Sequence, residues 1–295
     1  MSELLPTFTR RRVRAGEVTL HAAVGGVGPP VVLLHGYPET HVAWHAVAPR
    51  LAERFTVVCP DLRGYGASDK PPGDPDHRRY AKRTMAGDVG ALMAALGHDR
   101  FAVVGHDRGA LVGHRLALDS PEAVTHLAVL DVLPQLDMWA AINRDFGLAG
   151  YHLFFLAQPA DFPERLVGAD PDLFLTHTLR SWCGTDGAIT GQALAAYREA
   201  FADPRTIHAT CEDYRAGATV DVDHDAADLA AGRRIECPLL VLWAGRGGLP
   251  RFYDDVLGVW RPWARDVRGA AIDARHFLAE DSPEETAGRL LGFLA

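Results

Sequence analysis

The sequence lacks the features that mark several classes of protein. Its four cysteines, Cys59, Cys183, Cys211 and Cys237, form no C-x-x-C pair, so their spacing predicts neither a zinc site nor a redox pair. No stretch reaches the roughly 18 consecutive apolar residues of a membrane span. The N-terminus has no apolar run typical of a signal peptide. These absences favour a cytoplasmic protein with no metal and no membrane partner.

An excess of basic residues is also missing. Thirty lysines and arginines stand against 38 aspartates and glutamates, which gives a formal net charge of −8. Because phosphate binding needs a basic face, this balance disfavours nucleic acid as a partner. The one basic run, "RRRVR" at residues 10–14, is interpreted as the solvated side of an early strand.

What is present indicates a globular α/β protein. The chain has 295 residues, 48% hydrophobic and 23% charged, which is enough for one large domain with a smaller insertion. Nearly continuous apolar runs predict buried parallel strands. They lie at residues 31–36, 55–61, 101–107, 126–131, 237–245 and 265–273. Helical patterns occur at 84–97 and 283–294. This alternation predicts a mostly parallel, doubly wound sheet.

The alternation stops between about Leu133 and Glu236, where aromatics, prolines and helix formers replace strand patterns. We expect a helical cap at 134–235, inserted into a core made of residues 1–133 and 236–295. Within it, "DVDHD" (221–225) resembles a metal cluster, but it lacks the glycine and distal glutamate of a calcium loop. It is interpreted as a solvated linker between cap and core.

The stretch "VVGHDRGA" (103–110) has the form of the G-x-S-x-G turn that carries a nucleophilic serine, with Asp107 in the serine position. It follows a predicted strand and opens a helical pattern, which is the context of a nucleophile elbow. An aspartate capping the helix is the plain structural alternative. "HGYP" (35–38) ends an earlier strand, where the backbone N–H groups of Tyr37 and Arg108 would form an oxyanion hole.

Two further residues complete a catalytic set. His276 follows the last predicted strand, where the general base of such a hydrolase belongs. The base needs an acid to fix its tautomer. The loop at 246–249 contains no carboxylate, whereas the strand at 126–131 ends in Asp131. Asp131 is therefore the predicted acid, and Asp254 is the weaker alternative.

An aspartate at the elbow changes the chemistry that is expected. A carboxylate that attacked a carbonyl would form an anhydride, whereas attack on saturated carbon leaves an alkyl ester on the enzyme. Water deprotonated by His276 can then cleave that ester, and the oxyanion hole stabilises the tetrahedral intermediate. Asp107 therefore indicates displacement at sp³ carbon, with organohalides and epoxides as the two substrate classes.

At this level of detail the chain resembles the α/β-hydrolase superfamily, and within it the fluoroacetate (haloacetate) dehalogenases. The segments "HGYPETHVAWHAVAPRLAERF", "DLRGYGASD", "GHDRGA", "HRLALDSP", "AVLDVLP", "LAQPA", "FADP" and "CEDYRAGA" carry the resemblance in order over nearly the whole chain. It implies a homodimer that needs no cofactor and acts on a small-molecule substrate. It also implies Asp107 as nucleophile, His276 as base and Asp131 as its acid.

The resemblance also implies a substrate pocket, from which this sequence departs twice. Arg108 matches the first of two arginines that hold the substrate carboxylate, but Leu111 stands in the second position. His152 and Tyr214 match halide ligands, but Leu153 replaces a tryptophan. Because an indole N–H contributes of order 1–3 kcal/mol to a leaving anion, we expect a heavier halide to leave more readily than fluoride. Trp182 is predicted to line the pocket.

Two other functions stay open at this stage. Epoxide hydrolases resemble the same scaffold and use two cap tyrosines to protonate the opening ring, and Tyr151 and Tyr214 stand at comparable places. Their acid commonly follows the later strand, where this chain has Gly247 and Gly248. Arg108 suits a carboxylate better than a neutral epoxide, so an epoxide of a carboxylic acid would reconcile both patterns. A catalytically silent ligand receptor is the third reading, which the complete catalytic set disfavours.

Overall fold

The computed structural model describes residues 4–295. Eight strands form one sheet: β1 Thr9–Ala15, β2 Val18–Gly25, β3 Pro30–Leu34, β4 Thr56–Pro60, β5 Phe101–His106, β6 Val124–Leu130, β7 Leu239–Ala244 and β8 Val267–Ile272. The α-helices are α1 Ala48–Leu51, α2 Lys82–Ala95, α3 Arg108–Asp119, α4 Gln135–Ala140, α5 Arg144–Ala149, α6 Tyr151–Leu156, α7 Phe162–Ala169, α8 Pro171–Trp182, α9 Gly191–Phe201, α10 Pro204–Ala218, α11 Val220–Ala230, α12 Leu249–Phe252, α13 Val256–Trp260, α14 Leu278–Asp281 and α15 Pro283–Leu294. Short 3₁₀ helices occupy His41–Trp44 and Arg78–Tyr80.

The strand order is β1-β2-β4-β3-β5-β6-β7-β8. The first two pairings, β1 with β2 and β2 with β4, are antiparallel, and all later pairings are parallel. The carboxyl ends of β3, β5, β6 and β8 therefore open onto the same edge of the sheet, where ligands bind in open α/β sheets.

The six predicted strands and the predicted α/β class are confirmed. The central strand β5 is buried along its whole length, which explains why its sequence is a continuous apolar run. The run at residues 10–14 is the mostly exposed β1, as expected. Strand β2 was not predicted, because "VTLHAAVG" interrupts its apolar residues with a threonine and a histidine.

Eight helices, α4 to α11, fill the chain between β6 and β7. They cover the segment predicted as a cap, although the division of the chain into two domains stays a prediction. The interpretation of residues 221–225 as a solvated linker is wrong. These residues belong to α11, where Asp221 accepts a hydrogen bond from the backbone of Lys82 and Asp225 accepts one from Arg115. No helix within residues 4–295 combines the length and apolarity that a membrane crossing requires.

Candidate active site

The elbow joins the central strand to a helix. β5 ends at His106 and α3 begins at Arg108, so that Asp107 alone makes the turn, with φ 48° and ψ −117°. A non-glycine residue persists in such a conformation only where its surroundings hold it there. Two glycines allow the close packing: an added Cβ would come within 2.6 Å of Asp107 Cβ at Gly36 and within 2.4 Å of the His35 carbonyl at Gly109.

One oxygen of the Asp107 carboxylate contacts one of the two donors predicted for the oxyanion hole. The Tyr37 N–H donates to Asp107 Oδ1 over 2.9 Å. The N–H of Arg108 is the first of helix α3, and the first N–H groups of a helix have no partner within it. Oδ1 therefore occupies the position where a donor can stabilise negative charge on this carboxyl group.

The other oxygen faces the predicted base. His276 Nε2 lies 3.8 Å from Asp107 Oδ2, while His276 Nδ1 is 2.8 Å from Asp131 Oδ2. Asp131 is itself held, because its Oδ1 accepts a hydrogen bond of 2.9 Å from the Ala244 N–H at the end of β7. The structure thus brings together the three residues predicted as nucleophile, base and acid. The alternative acid, Asp254, is exposed.

The surroundings keep Asp107 ionised. Burial alone would raise the pKa of this carboxyl group. Electrostatic interactions with His276, His106 and Arg108, together with the hydrogen bond from the Tyr37 N–H, lower the pKa below its ordinary value. An ionised carboxylate is the form that acts as a nucleophile.

The sequence reasoning missed a buried ion pair directly behind the elbow. His106 Nδ1 lies 2.9 Å from Glu39 Oε2, and His106 Nε2 lies 2.8 Å from the His276 carbonyl. Glu39 also accepts the Gly36 N–H over 3.2 Å. Burial would lower the pKa of His106, but the adjacent carboxylate raises it to about 9. The charged imidazole therefore ties the oxyanion loop to the loop of the base.

A cavity of about 380 Å³ opens next to Asp107 and His276. Five of the predicted substrate-site residues line it: Arg108, Leu111, His152, Leu153 and Trp182. Apolar residues form much of its wall, namely Val132, Leu133, Met138, Phe146, Leu249 and Phe252. A cavity of this size and lining is typical of a small-molecule site.

Two neutral side chains that can donate hydrogen bonds lie close together: His152 lines the cavity, whereas the buried Tyr214 lies next to His152 and is not among the lining residues. The His152 ring lies 4.4 Å from the Trp182 ring and 5.7 Å from the Tyr214 ring, measured between centroids. Burial lowers the pKa of His152 to about 3, so the ring is uncharged. Burial and the charge of Asp107 raise the pKa of Tyr214 well above its ordinary value, so its hydroxyl keeps its proton.

The placement of Tyr151 contradicts its predicted role. Its side chain is 40% exposed and does not line the cavity. The Tyr151 ring lies 6.1 Å from the His152 ring, on the solvent-exposed side of α6. His152 therefore lines the cavity, whereas Tyr151 does not.

Arg108 is largely occupied by a partner that the sequence reasoning also missed. Its Nη2 lies 2.8 Å from Asp213 Oδ1 and its Nε lies 3.2 Å from Asp213 Oδ2. The guanidinium also lies 4.4 Å above the Tyr214 ring. Lys82 and Tyr65 bind the same carboxylate. Only Nη1 of Arg108 makes no hydrogen bond to the described residues. The sequence offered one sign of this ion pair: Asp213 is an acidic residue that directly precedes the predicted substrate-site residue Tyr214.

A second polar cluster, His21, His41 and Asp61, lies away from this cavity. Both histidines place Nδ1 next to the Asp61 carboxylate, at 3.0 Å and 2.8 Å. Asp61 also accepts the N–H groups of His41 and Ala67. Each carboxylate oxygen thus has two donors, which explains the cluster by hydrogen bonding alone.

Comparison with known proteins agrees with this geometry. Residues 29–261 match the family model of the alpha/beta hydrolase fold. The chain is 46% identical to the fluoroacetate dehalogenase of Burkholderia sp, over 98% of this chain and 94% of that protein. It is 32% identical to the soluble epoxide hydrolase of Corynebacterium sp. (strain C12), over 98% of each.

A solved structure is similar throughout. The ALR0039 protein of Nostoc sp PCC 7120 superposes with a TM-score of 0.96 at 48% identity, over 99% of both chains. The elbow and its oxyanion contact are features of the same fold family that the matched relatives indicate. The chain belongs to the α/β-hydrolase fold family and is a hydrolase that resembles fluoroacetate dehalogenase.

Proposed function

We propose that this protein hydrolyses the carbon–halogen bond of 2-halo carboxylic acids, small haloacetate-like acids among them. One observation carries the proposal: an ionised aspartate occupies the elbow, with Oδ1 held by the Tyr37 N–H and Oδ2 facing His276. This arrangement suits an alkyl-ester mechanism at saturated carbon and gives no useful route for acyl transfer.

The proposed reaction has two steps, alkylation of Asp107 and hydrolysis of the resulting ester. Asp107 Oδ2 attacks the halogenated carbon, a C–O bond forms, and the halide leaves with the electron pair of the broken C–X bond. His276 then takes a proton from water, which attacks the Asp107 carbonyl carbon while Oδ1 receives the negative charge. Collapse of this intermediate releases the hydroxy acid and restores the carboxylate, and His276 passes its proton to solvent. Asp131 orients the imidazole and stabilises its charged form.

The leaving-group site favours a heavier halide. His152 and Tyr214 can each donate to the departing ion, whereas Leu153 offers no N–H. Fluoride is the poorest leaving group of the halides and depends most on such donors. We therefore expect chloro acids to react faster than the corresponding fluoro acids.

Epoxide hydrolysis is the second candidate. Tyr214 is a protonated donor that could assist ring opening, and the soluble epoxide hydrolase of Corynebacterium sp. (strain C12) matches the chain along its length. The exposed position of Tyr151 leaves only one of the two expected tyrosines near the cavity. This difference makes the dehalogenase the better proposal.

A substrate panel separates the two functions. The protein is incubated with fluoroacetate, chloroacetate, 2-chloropropionate and a glycidate, while halide and diol are measured. We expect chloride release to exceed fluoride release and Asp107→Asn to abolish both, with the exposed Asp254→Asn as the matched control. Diol formation without halide release would favour the epoxide hydrolase. Undiminished turnover by Asp107→Asn would remove the nucleophile assignment.

The homodimer implied by the resemblance stays a prediction. It is supported by large apolar side chains that are exposed on α5, α7 and α8, namely Leu148, Phe162, Leu166 and Leu173. Exposed apolar residues on neighbouring elements are typical of a surface that another chain covers.

A further inference from the structure

Three arginines surround the outer end of the catalytic cavity. Arg246 and Arg251 come from the segment after β7, and Arg275 directly precedes His276. All three are exposed and line the cavity. Among the cavity-lining residues of the described chain, 4–295, the only carboxylates are Asp107 and Asp131. The mouth is therefore positively charged in a protein whose net charge is −8.

Two of these guanidinium groups are available to a ligand. Arg246 forms an ion pair of 2.8 Å with Asp273, which is itself exposed. Arg251 lies 5.2 Å from the centre of the Phe252 ring. Within residues 4–295, no carboxylate forms an ion pair with the side chain of Arg251 or Arg275. Asp273, two residues before Arg275, pairs with Arg246, and Asp281 accepts the backbone N–H of Arg275 and not its side chain. The mouth thus presents unused donors that suit a carboxylate.

The inner end of the cavity is different. Arg108 is committed to Asp213 through Nε and Nη2, and the buried Leu111 lines the wall beside it. A substrate carboxylate at this end would meet one free guanidinium nitrogen and compete with the charge of Asp213. The outer end offers an anion more free donors than the inner end.

The wall between the two ends is apolar and long enough for more than a haloacetate. The volume of about 380 Å³ lies within the range of about 300–1,000 Å³ that is typical of sites for drug-sized ligands. A two-carbon acid would leave most of that space unfilled. Leu133, Met138 and Phe146 line it and would contact a hydrocarbon chain.

We propose that Arg251 and Arg275, assisted by Arg246, form an anion subsite at the cavity mouth. This subsite selects acids whose anionic group is separated by an apolar chain from the carbon attacked by Asp107. The proposal rests on the proposed function for the displacement at Asp107, and it goes beyond the 2-halo acids to acids that carry the halogen further from the carboxylate. Attraction at the mouth also speeds the encounter with anions, to an extent that falls with ionic strength.

Kinetics with a chain-length series provide the first test. Chloroacetate is compared with chloro acids that carry the halogen at the end of progressively longer chains, and with neutral chloroalkanes of equal length. We expect kcat/KM to rise with chain length and the acid to exceed its neutral counterpart. Arg251→Gln and Arg275→Gln should each raise KM for the long acids about 1.5–5-fold, with kcat little changed. Arg54→Gln, an exposed arginine outside the cavity, is the matched control.

Equilibrium binding provides a test that needs no turnover. Hexanoate, acetate and hexanamide are titrated by calorimetry into the wild type, the double variant Arg251→Gln/Arg275→Gln and the control Arg54→Gln. Hexanoate should bind most tightly, and only the double variant should lose its advantage over hexanamide. Equal binding of hexanoate and hexanamide, or equal loss in the control, would overturn the subsite. An absence of halide release with intact hexanoate preference would instead refute the proposed reaction.

Discussion

Removal of the general base should trap the covalent intermediate. In the wild type, His276 Nε2 lies 3.8 Å from Asp107 Oδ2. In His276→Asn, the shortened side chain is too far from Asp107 to take a proton from an attacking water molecule. The first step needs no base, because Asp107 acts as a carboxylate. The variant loses the lowering of the Asp107 pKa by His276 but keeps the lowering by His106, Arg108 and the Tyr37 N–H. Alkylation should therefore continue while hydrolysis of the ester slows.

The size of the effect follows from the role of the base. A positioned general base contributes about 10²–10⁴-fold to a rate, which corresponds to about 3–5 kcal/mol in the barrier of the second step. With the first step retained, nearly every active site should become alkylated, and halide release should stop after about one equivalent per chain.

Intact-protein mass spectrometry measures this outcome directly. After incubation with 2-chloropropionate, His276→Asn should gain the mass of the chloro acid less hydrogen chloride, and peptide mapping should place the adduct on Asp107. His177→Asn, at an exposed position of α8, is the matched control and should show no adduct. The double variant Asp107→Asn/His276→Asn should also remain unmodified.

Two results would refute the reasoning. Multiple turnovers by His276→Asn within tenfold of the wild-type rate would show that this histidine is not the base. An adduct on a residue other than Asp107 would show that the elbow carboxylate is not the nucleophile.

The remaining predictions concern the residues that support this chemistry. Asp131→Asn replaces the acceptor 2.8 Å from His276 Nδ1 and should lower kcat about 10³–10⁴-fold, whereas Asp254→Asn should leave it unchanged; steady-state kinetics with the reverse result would exchange their roles. The pKa of His106 is raised to about 9 by Glu39, despite burial. Its contribution to the free energy of unfolding should therefore be complete below about pH 6.5 and be lost as the pH rises to about 9, by about 3 kcal/mol. Urea unfolding across this range should show a decline that is absent in His106→Gln; parallel curves would contradict the ion pair.

The sequence by itself determined the reaction class and most of the fold. Strands such as β5 are buried on both faces, so their apolar runs are visible without any partner. The elbow is equally local, because one short stretch contains the strand end, Asp107 and the helix start. His276 and Asp131 could be predicted because each follows a recognisable strand. β2 could not be predicted because its polar residues interrupt the apolar pattern of a buried strand.

Only the tertiary structure decided what surrounds the substrate. The partner of Arg108 is Asp213, which lies 105 residues further along the chain, and no local pattern relates them. Tyr151 is 40% exposed and does not line the cavity, although its sequence position suited the role. Arg246, Arg251 and Arg275 meet at one mouth because β7 and β8 are neighbours in the sheet. Long-range packing sets charge pairing and side-chain direction around the cavity, whereas a local pattern is enough to predict the nucleophile.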